Sequence, residues 1–211
     1  MERSWKELGW REALHCLQRE QEEWANDNFG PDGWTASTQL LGVVEELGDF
    51  TEASYPWRDG SPKVEKGKLI EEICDTICFL AGYCTKMNWE FGVVVDGAQD
   101  WVPENPGHSA SLLMAIGGLC RAHVKSTQKI RQSEYHMYKG TSHLRDLMRE
   151  LLGWATDNEV DLLPELQKIW GRKKLRNWRE NPVDGVVDVD GINRPVGAEG
   201  GSNGSSEKAV E

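Results

Sequence analysis

The chain has 211 residues, 38% of them hydrophobic, and a formal net charge of −11. That length and apolar share support one domain with a real core, while so acidic a chain is a poor partner for nucleic acid or anionic membranes. No apolar run approaches the ~20 residues of a membrane span, the charged start MERSWKELGWREALHCLQREQ does not read as a signal peptide, and five scattered cysteines read as reduced thiols, so a cytoplasmic protein is expected.

Residues 4–27 carry helical periodicity through Trp5, Leu8, Ala13, Leu14, Leu17 and Trp24. The stretch Asn28-Phe29-Gly30-Pro31-Asp32-Gly33 breaks it. Thr35 or Ser37 is a suitable N-cap for a second helix over about 37–54, which Pro56 ends. A polar connection, 57–66, leads to a third helix over about 67–88, and 96–108 reads as a loop. Residues 109–125 are apolar and helical, 142–163 form another helix, and Pro164 opens the last, stopped by Asn181-Pro182. Only the short Val-rich run 186–189 suggests a strand, and 183–211 form a Gly/Ser-rich tail expected to be flexible. The fold class expected is therefore all-α, a helical bundle over 1–182.

The order long helix, loop, long helix occurs twice, about 72 residues apart. At that offset Leu40-Leu41 fall on Leu112-Leu113 and Leu47 on Leu119; one residue less puts Asp75 on Asp146, Leu80 on Leu151 and Gly82 on Gly153. A degenerate internal duplication follows, with halves at about 1–95 and 105–182. The second half has Gly117, Gly118 and Arg121 where the first has Glu45, Glu46 and Asp49, so only the first keeps its acids.

Those acids are the chemical signal. Residues three apart share a helical face, so Glu46 projects with Asp49, and Glu72 with Asp75. The short connection makes the two helices antiparallel neighbours, which brings four carboxylates toward one point. Leu40, Leu41, Val43, Val44, Leu47 and Phe50 surround the first pair; Ile70, Ile73, Ile77, Phe79 and Leu80 surround the second. Like charges in an apolar setting are costly, and a divalent ion reverses that cost. Oxygen-only ligation points to Mg²⁺, with Mn²⁺ as an alternative, rather than to zinc.

The motifs Glu45-Glu46-Leu47-Gly48-Asp49 and Glu72-Ile73-Cys74-Asp75, with EQEEWANDNFG before them and DTICFLAGYC after, resemble the all-α nucleoside triphosphate pyrophosphohydrolases: MazG-like proteins, dCTP pyrophosphatases, dimeric dUTPases and phosphoribosyl-ATP pyrophosphohydrolases. The resemblance covers about residues 10–90 and is weak over 105–182. The family signature is EExxE followed by ExxD, and Asp49 stands where its last Glu would be. The resemblance implies Mg²⁺ ions held by Glu46, Asp49, Glu72 and Asp75, and cleavage of a nucleoside triphosphate to monophosphate and pyrophosphate. It also implies either a homodimer or a pseudo-dimeric monomer, the latter like the dimeric dUTPase arrangement. Glu45 is a candidate to support the ligands or, with Glu46, to take the proton of the attacking water.

Trp24, Phe29 and Trp34, which precede the acid helix, are candidates to hold the base, or else core residues. Trp57 and Arg58 follow that helix, and Lys63, Lys66 and Lys68 are candidates for phosphates or plain surface lysines. The basic run 172–179 either contacts the triphosphate or complements a helix C-terminus. His123, His136 and His143 have no ligand spacing and read as structural. A dUTPase/dUDPase-type hydrolase and a non-catalytic nucleotide-binding bundle are the alternatives.

Overall fold

The computed structural model describes residues 4–54, 65–98, 109–130 and 132–180. The described residues are all-α, with no strand among them. The predicted first helix is two: α1 (Trp5–Leu8) and α2 (Trp10–Phe29). Gly9 parts them at φ 76, a backbone angle that suits glycine. The stripe Ala13, Leu14, Leu17, Gln21, Ala25 is the buried face of α2, at the spacing an amphipathic helix requires.

Helix α3 (Ala36–Ser54) starts at a reciprocal cap. The Thr38 N–H donates to Thr35 Oγ1 at 3.1 Å, and the Thr35 N–H donates to Thr38 Oγ1 at 2.9 Å. Thr35 is thus the N-cap of the two expected candidates, and the pair satisfies two otherwise orphaned donors.

Helix α4 (Lys66–Lys86) is the central element. From Ile73 to Cys78 every residue is buried, because α2, α3 and α8 all pack on it. A helix surrounded this way is apolar over most of its buried length, which accounts for the three buried free cysteines Cys74, Cys78 and Cys84 and makes Glu72 and Asp75 the exceptions. A single turn, α5 (Phe91–Val94), was not expected. It places Phe91 in the core, and the Phe91 N–H donates to Gln18 Oε1 at 2.9 Å.

A second hairpin follows: α6 (Ser109–Thr127) and α7 (Ser133–Asp157). Helix α7 begins earlier than the expected 142, and α8 (Leu162–Lys173) begins just before Pro164, which sits in the first turn where its missing N–H costs nothing. Helices α3 and α6 have the same length, 19 residues. The leucines paired by the sequence offset share their environment: Leu40 and Leu112 are buried, Leu41 and Leu113 are 67% and 70% exposed, and Leu47/Leu119 and Leu80/Leu151 are again buried, whereas Asp75 is buried and Asp146 is not. Where the first hairpin has Glu46 and Glu72, the second has Gly118 with His143 laid over it; a Cβ on Gly118 would fall 2.5 Å from that imidazole. The hairpins meet through Phe50 against Trp154, ring centroids 5.6 Å apart, and through a 2.9 Å hydrogen bond between Ser37 Oγ and His123 Nε2.

Among the described residues no helix is long and apolar enough to cross a membrane. The expected strand at 186–189, the tail from 183 and most of the 57–66 and 96–108 connections lie outside the described residues.

Candidate metal and nucleotide site

Three of the four expected carboxylates come together. Glu46 from α3 and Glu72 and Asp75 from α4 place one oxygen each within 4.8 Å of one another. Glu72 and Asp75 are buried and Glu46 is half-buried. Asp49 is exposed and lies outside this group, although its charge still acts on Glu72. Its side chain is one methylene shorter than the glutamate of the signature, and it stays at the helix surface. Glu45, next to Glu46 rather than three residues away, is exposed on a different face.

The electrostatics follow from this crowding. Burial, the hydrogen bond with Glu72 and the charge of Asp75 push the Glu46 carboxyl up to about 8. Burial raises Glu72 as well, against the hydrogen bond from Glu46. Burial also raises Asp75, and there it outweighs the neighbouring Lys173 charge. Asp75 Oδ2 pairs with Lys173 Nζ at the end of α8, while Asp75 Oδ1 is buried with no hydrogen-bond partner. Three crowded carboxylates and one orphaned buried oxygen are a donor set that suits a hard divalent cation. Cys74 and Cys78 share this part of α4, but burial pushes both thiols up and keeps them protonated, as expected of core cysteines.

Beside the acids lies a pocket of about 200 Å³, walled by Trp24, Phe29, Phe79, Trp170 and Trp178. This is smaller than the ~300–1,000 Å³ of sites for drug-sized ligands, and suits a single ring system. Trp24 meets Phe29 and Trp170 edge-on, with centroids 5.7 and 6.0 Å apart. At its floor two buried amides meet: Gln21 Nε2 donates to Gln39 Oε1 at 3.4 Å, and Gln21 Oε1 has no partner. Gly82 makes room for them, since a Cβ there would fall 2.2 Å from Gln39 Oε1 and 2.6 Å from Gln21 Nε2. Lys173 and Arg176 complete the wall, so Lys173 belongs both to the pocket and to the acid cluster.

The expected site residues therefore divide. Trp24 and Phe29 line the pocket. Trp34 does not: it is buried under Lys86, whose Nζ sits 3.8 Å from the ring centroid, and its Nε1 donates to Asn26 Oδ1 at 2.9 Å. Lys68 is exposed on the first turn of α4 and reaches the site only through its charge on Glu72. Trp57, Arg58 and Lys63 lie outside the described residues. Of the basic run, Lys173 and Arg176 face the site, while Arg172 and Lys174 pair with Glu71 and Glu20 at 3.5 and 3.2 Å. The histidines are structural contacts: His123 bridges Ser37 and Tyr83, and His136 donates to the Ile130 carbonyl.

Sequence reasoning missed Gln21, Gln39 and Trp170; Phe79 was read only as part of the apolar setting of the acids, and Trp178 only as part of the basic run. Two signals pointed to the amides. Gln21 interrupts the apolar stripe of α2 between Leu17 and Ala25, and Gln39 stands one turn before Val43 on the buried side of α3. A polar residue on a buried face needs a partner. Compared with known family models, curated proteins and solved structures, the chain matches none.

Proposed function

We propose that the chain is a Mg²⁺-dependent nucleoside triphosphate pyrophosphohydrolase of the all-α, MazG-like type, releasing a nucleoside monophosphate and pyrophosphate. One observation carries this reading: a three-carboxylate cluster with an orphaned oxygen opens beside an aromatic, amide-floored pocket, and Lys173 spans the two. Phosphates need the first part and a planar base the second. Mg²⁺, or Mn²⁺ in its place, would be held by Glu46, Glu72 and Asp75; it supplies charge neutralisation and water activation. The chain's own residues do the rest. The aromatic walls take the base and exclude water from it. Gln21 and Gln39 offer hydrogen-bonding groups to its edge, and the cations of Lys173 and Arg176 face the phosphate chain. Glu46, half-buried at the edge of the cluster, is the candidate to take the proton of the attacking water through the oxygen that does not hold the ion. The Gly118/His143 contact in place of facing acids supports one site per chain, in a pseudo-dimeric arrangement like that of the dimeric dUTPases, whose dUTP/dUDP hydrolysis is the variant of this reading.

A second reading, a nucleotide-binding bundle without turnover, draws on two features: Asp49 stands outside the acid group, and Lys173 already pairs with Asp75. Product analysis separates the two. A panel of ribo- and deoxynucleoside triphosphates with Mg²⁺ should yield monophosphate and pyrophosphate for at least one base. Glu72→Gln or Asp75→Asn should lower that rate at least about a hundredfold, by removing an interaction that stabilises transferring phosphate charge, with helicity retained. Binding without any turnover selects the second reading, and full activity in either variant sinks the site.

A further inference from the structure

Lys173 stands where the two parts of the site meet. Its ammonium pairs with Asp75, with the side chains 18% and 9% exposed, and its stem walls the aromatic pocket beside Arg176. The backbone that carries it is tied to α2. Trp24 Nε1 donates to the Arg176 carbonyl at 3.0 Å, and the Trp178 N–H donates to Asn28 Oδ1 at 2.7 Å. These bonds anchor the segment that follows α8, while a four-carbon lysine stem can turn on its own.

A divalent ion in this cluster would need Asp75, the carboxylate that Lys173 holds. Two cations then compete for one group. Asp75 Oδ1, buried and without a partner, is the oxygen that Lys173 leaves unsatisfied and that an ion would satisfy. From that point the ammonium requires another anion, and a nucleotide with its base in the pocket and its phosphates at the acids would run its phosphate chain past Lys173, which belongs to both.

We infer that Lys173 changes partners during binding: it neutralises Asp75 until a divalent ion takes that carboxylate, and then pairs with the polyphosphate. This rests on the pyrophosphohydrolase reading. It makes Lys173 a residue that couples metal and substrate, so each raises the other's affinity. Ion alone binds weakly because it must displace a cation; ion with polyphosphate binds well because the displaced cation gains a partner.

The test uses Lys173→Met, with Lys173→Gln as a second neutral variant and Lys173→Arg as a charge-preserving control, all checked for helicity. Mn²⁺ alone, titrated by electron paramagnetic resonance, should bind the neutral variants about tenfold more tightly than the unaltered chain, because a competing charge a few ångströms away is gone. Inorganic triphosphate in saturating Mn²⁺, titrated by calorimetry, should bind them about tenfold more weakly. Lys173→Arg should stay close to the unaltered chain in both. Unchanged Mn²⁺ affinity, or unchanged triphosphate affinity, in a folded neutral variant overturns the exchange and leaves the pyrophosphohydrolase reading standing. Failure of the unaltered chain to bind Mn²⁺ at all overturns both. If neither neutral variant folds, Lys173 is a structural pin and the exchange is refuted.

Discussion

Glu46 links the acid cluster to the stability of the whole chain. Its carboxyl rises from an ordinary 4.5 to about 8, first through burial, then through Glu72 and Asp75. Glu72 and Asp75 shift in the same direction. Between the two values the folded chain keeps a proton that the unfolded chain has released. The stabilising contribution is therefore complete below about pH 4.5 and is lost as pH rises through about 8. A fully buried group with this shift would contribute roughly 5 kcal/mol. Glu46 is only half-buried, so solvent screening leaves about 1–2 kcal/mol. For a chain of this size that corresponds to roughly 3–6 °C in Tm. The assay is thermal unfolding followed by circular dichroism, in chelator, across that pH range. The unaltered chain should lose that much Tm toward alkaline pH. Glu46→Gln should lose clearly less, because the amide has no proton to release. Millimolar Mg²⁺ should restore Tm above pH 8 and do little near pH 5, where protons hold the carboxylates. Equal pH slopes for the two proteins in chelator would refute the reasoning, as would a Tm indifferent to Mg²⁺ at high pH.

Two further substitutions test the parts around the acids. Gly82→Ala puts a methyl into the Gln21/Gln39 pair; it should cost about 1–3 kcal/mol and weaken nucleotide binding in a calorimetric titration, while Gly171→Ala, whose Cβ meets nothing, should leave both unchanged. Thr35→Ala removes the α3 cap and should cost about 1 kcal/mol, read as a Tm drop of roughly 2–4 °C with pyrophosphate release retained.

Much of the fold was legible because helices are local. The periodicity of α2, α3, α4 and α6 placed each within a few residues, and a threonine just ahead of an apolar run marked the start of α3. The break at Gly9 and the turn at Phe91 were not legible. Both are decided by what the flanking chain packs against, such as Phe91 in the core. The site divided along the same line. Either acid pair alone is common on a helix; it was two i,i+3 pairs on neighbouring helices in an apolar frame that brought Glu46, Glu72 and Asp75 into view, and these three do lie close. Trp34 was drawn into the base pocket by proximity in sequence, yet it is buried beneath Lys86 with its Nε1 bonded to Asn26.

The sequence by itself determined that the described residues are all-α and carry acids at helical spacing on two neighbouring helices, because those properties follow from a repeat of 3.6 residues. It also determined that the second hairpin lacks facing acids, since Gly118 can ligate nothing. Only the tertiary structure decided which acids share a point and what else reaches it. Asp49 stays outside, while Lys173 comes from the far end of the chain to pair with Asp75, and Gln21, Gln39, Trp170 and Trp178 converge on one pocket. The reason is physical: spacing along a helix fixes direction, but convergence between helices depends on how α2, α3, α4 and α8 pack.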